Sequence, residues 1–148
     1  MDTFTVQEVV ERSGLSEHTL RYYERIGLLD EVQRDHSSGH RRYSAEDLQV
    51  IEVMACLRAT GMSIDNMRKF LELGKESLRT EGKESAKELV ELFEAHRQQL
   101  ELELARKQEH LRYLELKVDF WTAVLEGDHA KVDEIRAVTD HLAKHMIK

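Results

Sequence analysis

Between Lys83 and Glu126 the chain contains neither glycine nor proline, and a helical pattern of apolar residues runs through the whole stretch. At about 1.5 Å rise per residue, one helix over it extends about 65 Å. A small globular head cannot cover a helix of that length, so a partner must run along its face. That face reads Ala86, Leu89, Phe93, His96, Leu100, Leu104, Lys107, Leu111, Leu114, Val118, Trp121 and Leu125. The steps are threes and fours with one stutter near Leu100, the rhythm of a coiled-coil seam, and they predict a dimer. His96 and Lys107 sit on the seam and are read as polar register-setting residues rather than metal ligands. The 148 residues then divide into a head at 1–74, the long coiled-coil helix at 75–127 and a last amphipathic helix at 128–148. The last helix has its stripe in Val132, Ile135, Val138, Leu142 and Met146.

Composition agrees with a mainly α chain. Proline is absent, glycine numbers 7, and aromatic residues at 6% are too few for a dense β core. The single cysteine, Cys56, excludes an internal disulfide framework and a cysteine-only metal cluster. No apolar stretch approaches the roughly 18 residues of a membrane span, and Met1 to Val10 lacks the basic start and apolar run of a signal peptide. A soluble cytoplasmic protein is expected. The net charge of −7 argues against nonspecific binding to a polyanion. Yet residues 76–127 alone carry 8 basic against 12 acidic residues, while Arg21, Arg25, Arg34, Arg41 and Arg42 cluster near the start. A local basic ridge holds phosphates even on an acidic molecule.

The head begins with a short helix over Thr5 to Gly14, where Thr5 and Glu8 form a capping box and Val6, Val9 and Val10 an apolar stripe. Ser16 caps a second helix that runs to Ile26 and stops at Gly27. Two short helices joined at a glycine turn form a helix-turn-helix, and the second enters the major groove by its N-terminal end, where Glu17, His18 and Thr19 project. Apolar residues from Leu28 to Val32, a polar run from Gln33 to Gly39, and His40, Arg41, Arg42 and Tyr43 predict a β-hairpin wing beside it. Ser44 with Asp47 opens a third helix that is apolar almost all round and therefore expected to be buried. Ser63 with Asn66 opens a fourth, with Ile64, Met67, Phe70, Leu71 and Leu73 as its core stripe before Gly74. Residues 44–74 form a second helix-turn-helix-like unit.

The strings TVQEVVERSG at Thr5 to Gly14, TLRYYERIGLL at Thr19 to Leu29, GHRRY at Gly39 to Tyr43, and LRATGMSI after the third helix resemble the MerR family of bacterial transcription regulators. The resemblance covers residues 4 to about 74, and the long helix is similar to the family's antiparallel dimerisation helix. It implies a winged helix-turn-helix homodimer on double-stranded promoter DNA with an overlong spacer, distorting the DNA so that RNA polymerase engages both promoter elements. Carried over by position, it places Thr19, Arg21 and Tyr23 on the recognition helix and Arg41, Arg42 and Tyr43 on the wing, with Arg34 at the wing entrance. Tyr22 and Tyr23 are expected to divide between packing and phosphate contact, and His18 or Thr19 to read a base. The chain departs from the family pattern in having no proline after Leu29 and His40 where an aromatic is common.

Family members that sense metals carry cysteines at the start of the dimer helix and after it, because soft ions need thiolates. Here Ser77 lies near the first place, and 127–148 contains no cysteine. His141 and His145 have i, i+4 spacing and are read as a surface pair. MACLRATGMSI resembles the AdhR/NmlR branch, which implies that Cys56 senses reactive aldehydes or other electrophiles. The alternatives are a non-covalent small ligand or a metal, with Cys56 a small core residue, or a coiled-coil scaffold. No arrangement of nucleophile, base and orienting acid points to an enzyme, and no resident cofactor or metal is expected.

Overall fold

Short polar side chains set where the helices start. Thr5 and Ser44 each accept from the backbone three residues on, at Glu8 and Asp47, whose carboxylates return to the cap amides at 2.7 and 2.8 Å. The same bonds from Thr5 hold the Glu8 carboxyl below its ordinary pKa. Ser16 and Ser63 cap by accepting from Thr19 and Asn66. The resulting elements, in a computed structural model that describes residues 2–148, are β1 (Thr3–Phe4), α1 (Val6–Ser13), α2 (Glu17–Arg25), β2 (Gln33–Arg34), β3 (Arg41–Ser44), α3 (Ala45–Ala59), α4 (Ile64–Thr80), α5 (Lys83–Glu126) and α6 (His129–Met146). The long helix spans the residues its sequence marks out. No helix among the described residues is long and apolar enough to cross a membrane.

The chain divides into two compact units, Met1–Phe93 and Glu94–Lys148. In the first, Val9, Leu20, Tyr23, Tyr43, Ile51, Met54 and Met67 are almost fully buried and bind α1, α2, β3, α3 and α4 into one core. Leu28, Leu29 and Val32 enter the same core, so the segment after α2 is pinned before the wing begins. In the second, Leu116 and Ala123 of α5 pack with Val132 and Ile135 of α6, and Phe120 and Leu142 close over them.

The sheet has the order β1-β3-β2 and is antiparallel throughout. The wing hairpin pairs Gln33 with Arg42 and Arg34 with Arg41. Its turn is held by the Asp35 carboxylate, which accepts from the Ser37 hydroxyl at 2.6 Å and from the Ser37 and Ser38 amides at 2.9 and 3.0 Å. These bonds push the Asp35 pKa far below the usual carboxylate range. Gly39 supplies the positive φ of 69° that ends the turn. The wing thus forms without the proline and aromatic of the family pattern. Strand β1, which the sequence reading did not anticipate, pairs Thr3 with Ser44 and Phe4 with Tyr43. Two residues give no periodicity to detect.

Four expectations are corrected. Helix α3 is not buried all round: it buries Leu48, Ile51 and Met54, while Val53 and Cys56 are exposed, because the unit has core on one side of it only. Helix α4 does not stop at Gly74 but continues to Thr80, ending where Glu81 takes a positive φ. A helical glycine costs only about 1 kcal/mol relative to alanine, which flanking turns absorb. Phe93, assigned to the coiled-coil seam, packs on the head core with its ring edge-on to Phe70 at 5.5 Å. On α6 the inward position expected of Val138 belongs to Thr139, whose hydroxyl donates to the Ile135 carbonyl at 2.8 Å.

Candidate nucleic-acid interface

The N-terminal ends of α1 and α2 and the wing enclose a groove of about 320 Å³. Arg21 comes to it from α2, and Arg34, Arg41 and Arg42 from the two wing strands, with Thr5, Gln7 and His40 on the rim. The sequence separates these arginines by up to 21 positions, and the hairpin register brings them together. Each is already positioned. Arg21 pairs with Glu17 one turn back on α2. Arg41 Nε donates to Glu24 at 3.0 Å, both side chains about one-fifth exposed. Arg42 lies 4.0 Å from Asp35, and Arg34 donates to the Gly39 carbonyl at 3.0 Å. The Arg21 pair is exposed and the Arg42 pair long, so each contributes little to stability and leaves its guanidinium free to turn to a phosphate, whereas the partly buried Arg41–Glu24 pair fixes the wing against α2.

Helix α2 presents the positive end of its dipole beside this groove. His18 is exposed there. Thr19 is half-buried, and its hydroxyl lies 2.9 Å from Ser16 Oγ and accepts from Arg58 of α3 at 3.2 Å. The two tyrosines separate: Tyr22 is exposed with the Arg25 guanidinium over its ring at 5.6 Å, whereas Tyr23 is buried. Tyr43 is buried too, and its burial raises the phenol pKa. The rings of Tyr23 and Tyr43 thus sit in the core, where they hold α2 and β3 in place, and of the tyrosine pair it is Tyr23 that packs. Of the expected set, Arg21, Arg34, Arg41 and Arg42 share the groove, His18, Thr19 and Tyr22 lie on α2, and Cys56 stands on α3.

Thr5 and Gln7 on the rim escaped the sequence reading because the pairing of β1 with β3 brings the start of α1 to the wing. Arg58 was visible as a basic residue, but only the packing of α3 against α2 shows that it reaches Thr19.

The family model described as MerR HTH family regulatory protein matches residues 4–73. An HTH-type transcriptional regulator of Haemophilus influenzae is 34% identical over 119 residues, covering 80% of this chain and 84% of that one. The chain belongs to the MerR family. The HTH-type transcriptional regulator AdhR of Bacillus subtilis is 41% identical over 75 residues, 51% of this chain and 53% of AdhR. Among solved structures, HiNmlR, a MerR family regulator lacking the sensor domain and bound to promoter DNA, aligns with a TM-score of 0.69 and 32% identity over 90% of this chain and 96% of that one. This MerR protein is accordingly a DNA-binding transcription regulator and not an enzyme.

Proposed function

We propose that the protein is a homodimeric MerR regulator that holds promoter DNA across the groove between α2 and the wing and distorts an overlong spacer for RNA polymerase. The convergence of Arg21, Arg34, Arg41 and Arg42 on one groove carries this reading. In it, the head at 1–74 binds DNA, 75–127 dimerises and 128–148 packs on the dimer helix. His18 and Thr19 face bases, Tyr22 and the four arginines face phosphates, and Tyr23 and Tyr43 act indirectly by fixing the backbone. Arg21→Ala and Arg42→Ala each remove one phosphate contact, so each weakens binding to all sequences and lowers the salt slope of binding by about 1. Titrations by fluorescence anisotropy at several salt concentrations measure this. Unchanged affinity and slope in both variants contradict the reading.

Cys56 is the proposed sensor of a reactive aldehyde or related electrophile. The similarity to AdhR and the exposure of the thiol support it. Exposure on α3 gives an electrophile access to the thiol. Cys56→Ser is expected to keep promoter affinity within about twofold, since an exposed change away from core and caps stays within about 0.5 kcal/mol, and to abolish aldehyde-dependent transcription with purified polymerase. An undiminished response in that variant overturns the assignment.

A further inference from the structure

How the two ends of a recognition helix are held sets the angle at which it meets base edges. The N-terminal end of α2 is set by Ser16 and Arg58. Its C-terminal end closes at Ile26, where the Tyr22, Tyr23 and Glu24 carbonyls accept from the Ile26, Leu28 and Gly27 amides, the dipole is negative, and the Ile26 carbonyl is left to a partner outside the helix. Arg68 of α4, half-buried, donates Nη2 to the Ile26 carbonyl at 2.9 Å, and a Cβ on Gly27 would lie 3.8 Å from its Nη1. Two turns further along α4, Lys75 pairs with Asp30 at 3.3 Å, but both of these side chains are largely exposed. Exposed pairs are worth little, whereas a partly buried guanidinium on a helix C-terminus is a strong, charge-assisted bond. Arg68 is therefore the principal polar tie between α4 and α2. Phe70, two residues along, stacks edge-on to Phe93 of α5, so α4 bears on the recognition helix through Arg68 and on the first turns of α5 through Phe70.

We propose that Arg68 is a positioning residue for DNA recognition: from α4 it caps the C-terminal end of the recognition helix and sets its angle, without touching DNA itself. The inference rests on the DNA-binding reading above. A phosphate contact adds equally to every sequence, whereas the angle of α2 matters only where bases are read. The test is the ratio of affinities for promoter and unrelated duplexes, measured by fluorescence anisotropy across salt concentrations, with melting temperatures alongside. R68M keeps the length of the side chain and removes the donors. It is expected to lower promoter affinity about tenfold, from one charged hydrogen bond worth about 1.5 kcal/mol, with affinity for unrelated DNA and the salt slope unchanged. R68K keeps a cation and one donor and is expected to restore part of the ratio; if R68M does not fold, the loss of ratio at constant slope is read on R68K. An unchanged ratio overturns the proposal. So does a parallel loss on both duplexes with a slope lower by about 1, because Arg68 would then hold a phosphate itself. A wild-type protein with no preference for its promoter overturns the DNA-binding reading instead.

Discussion

Leu114→Glu is expected to turn a dimer into monomers or aggregates in sedimentation velocity. Leu114 is 60% exposed on α5, in a row with Leu111, Val118, Trp121 and Leu125, which are 57%, 66%, 63% and 87% exposed. The opposite side of the same helix is already used, since Leu116 and Ala123 are buried against α6. One helix therefore carries two apolar faces, of which its own chain covers one. A continuous apolar row of this size marks an interface, because burying it returns about 25 cal/mol per Å². A carboxylate at its centre must be desolvated without a partner, which costs several kcal/mol and exceeds what neighbouring leucines return. A folded dimer with Leu114→Glu in place would show that this row is not the interface. Polar ties along the exposed part of α5, such as Arg97 with Glu94 and Glu101 at 2.8 and 2.7 Å, add only about 0.2–0.5 kcal/mol each to the unpartnered helix.

Tyr23→Ala and Tyr22→Ala are expected to separate stability from binding. Tyr23 is 2% exposed in the head core, and truncating a buried aromatic to alanine costs about 3 to 5 kcal/mol, a large share of the 5–15 kcal/mol that folds a typical domain. Thermal denaturation followed by circular dichroism is expected to show early melting of the head, with DNA binding lost along with it. Tyr22 is 38% exposed, with the Arg25 guanidinium over its ring and the Tyr23 ring 6.1 Å away, so its removal is expected to cost far less stability than that of Tyr23 and to weaken DNA binding. The reverse pattern would place Tyr22 in the core and contradict the packing of α2.

The pair shows where sequence reasoning stops. A motif identifies α2 as a recognition helix, but neighbouring tyrosines differ by 100° around a helix, and which one faces inward depends on where α1 and β3 dock. Helix starts were legible because Thr5, Ser16, Ser44 and Ser63 act through bonds to residues three positions away. The extent of α5 was legible for a similar reason: nothing local interrupts it. Gly74 misled because its effect on α4 is a modest propensity that tertiary packing overrides. The burial of α3 was misjudged because composition reports how apolar a helix is, not how many neighbours a small head can place around it. Wing arginines were legible singly from GHRRY, but their convergence with Arg21 follows from the register of β2 on β3. Arg68 was invisible as a cap, since Ile26 lies 42 residues away in the chain.

The central claim is that the groove between α2 and the wing binds a specific duplex as part of a symmetric dimer. Selection of bound fragments from the source genome, followed by footprinting of the enriched DNA, tests it most directly. Two symmetric heads require an inverted repeat, so the account predicts enrichment of a pseudo-palindromic promoter sequence, protection of both half-sites, and loss of protection with Arg21→Ala combined with Arg42→Ala. Enrichment of no sequence, or protection that survives removal of both arginines, would contradict it.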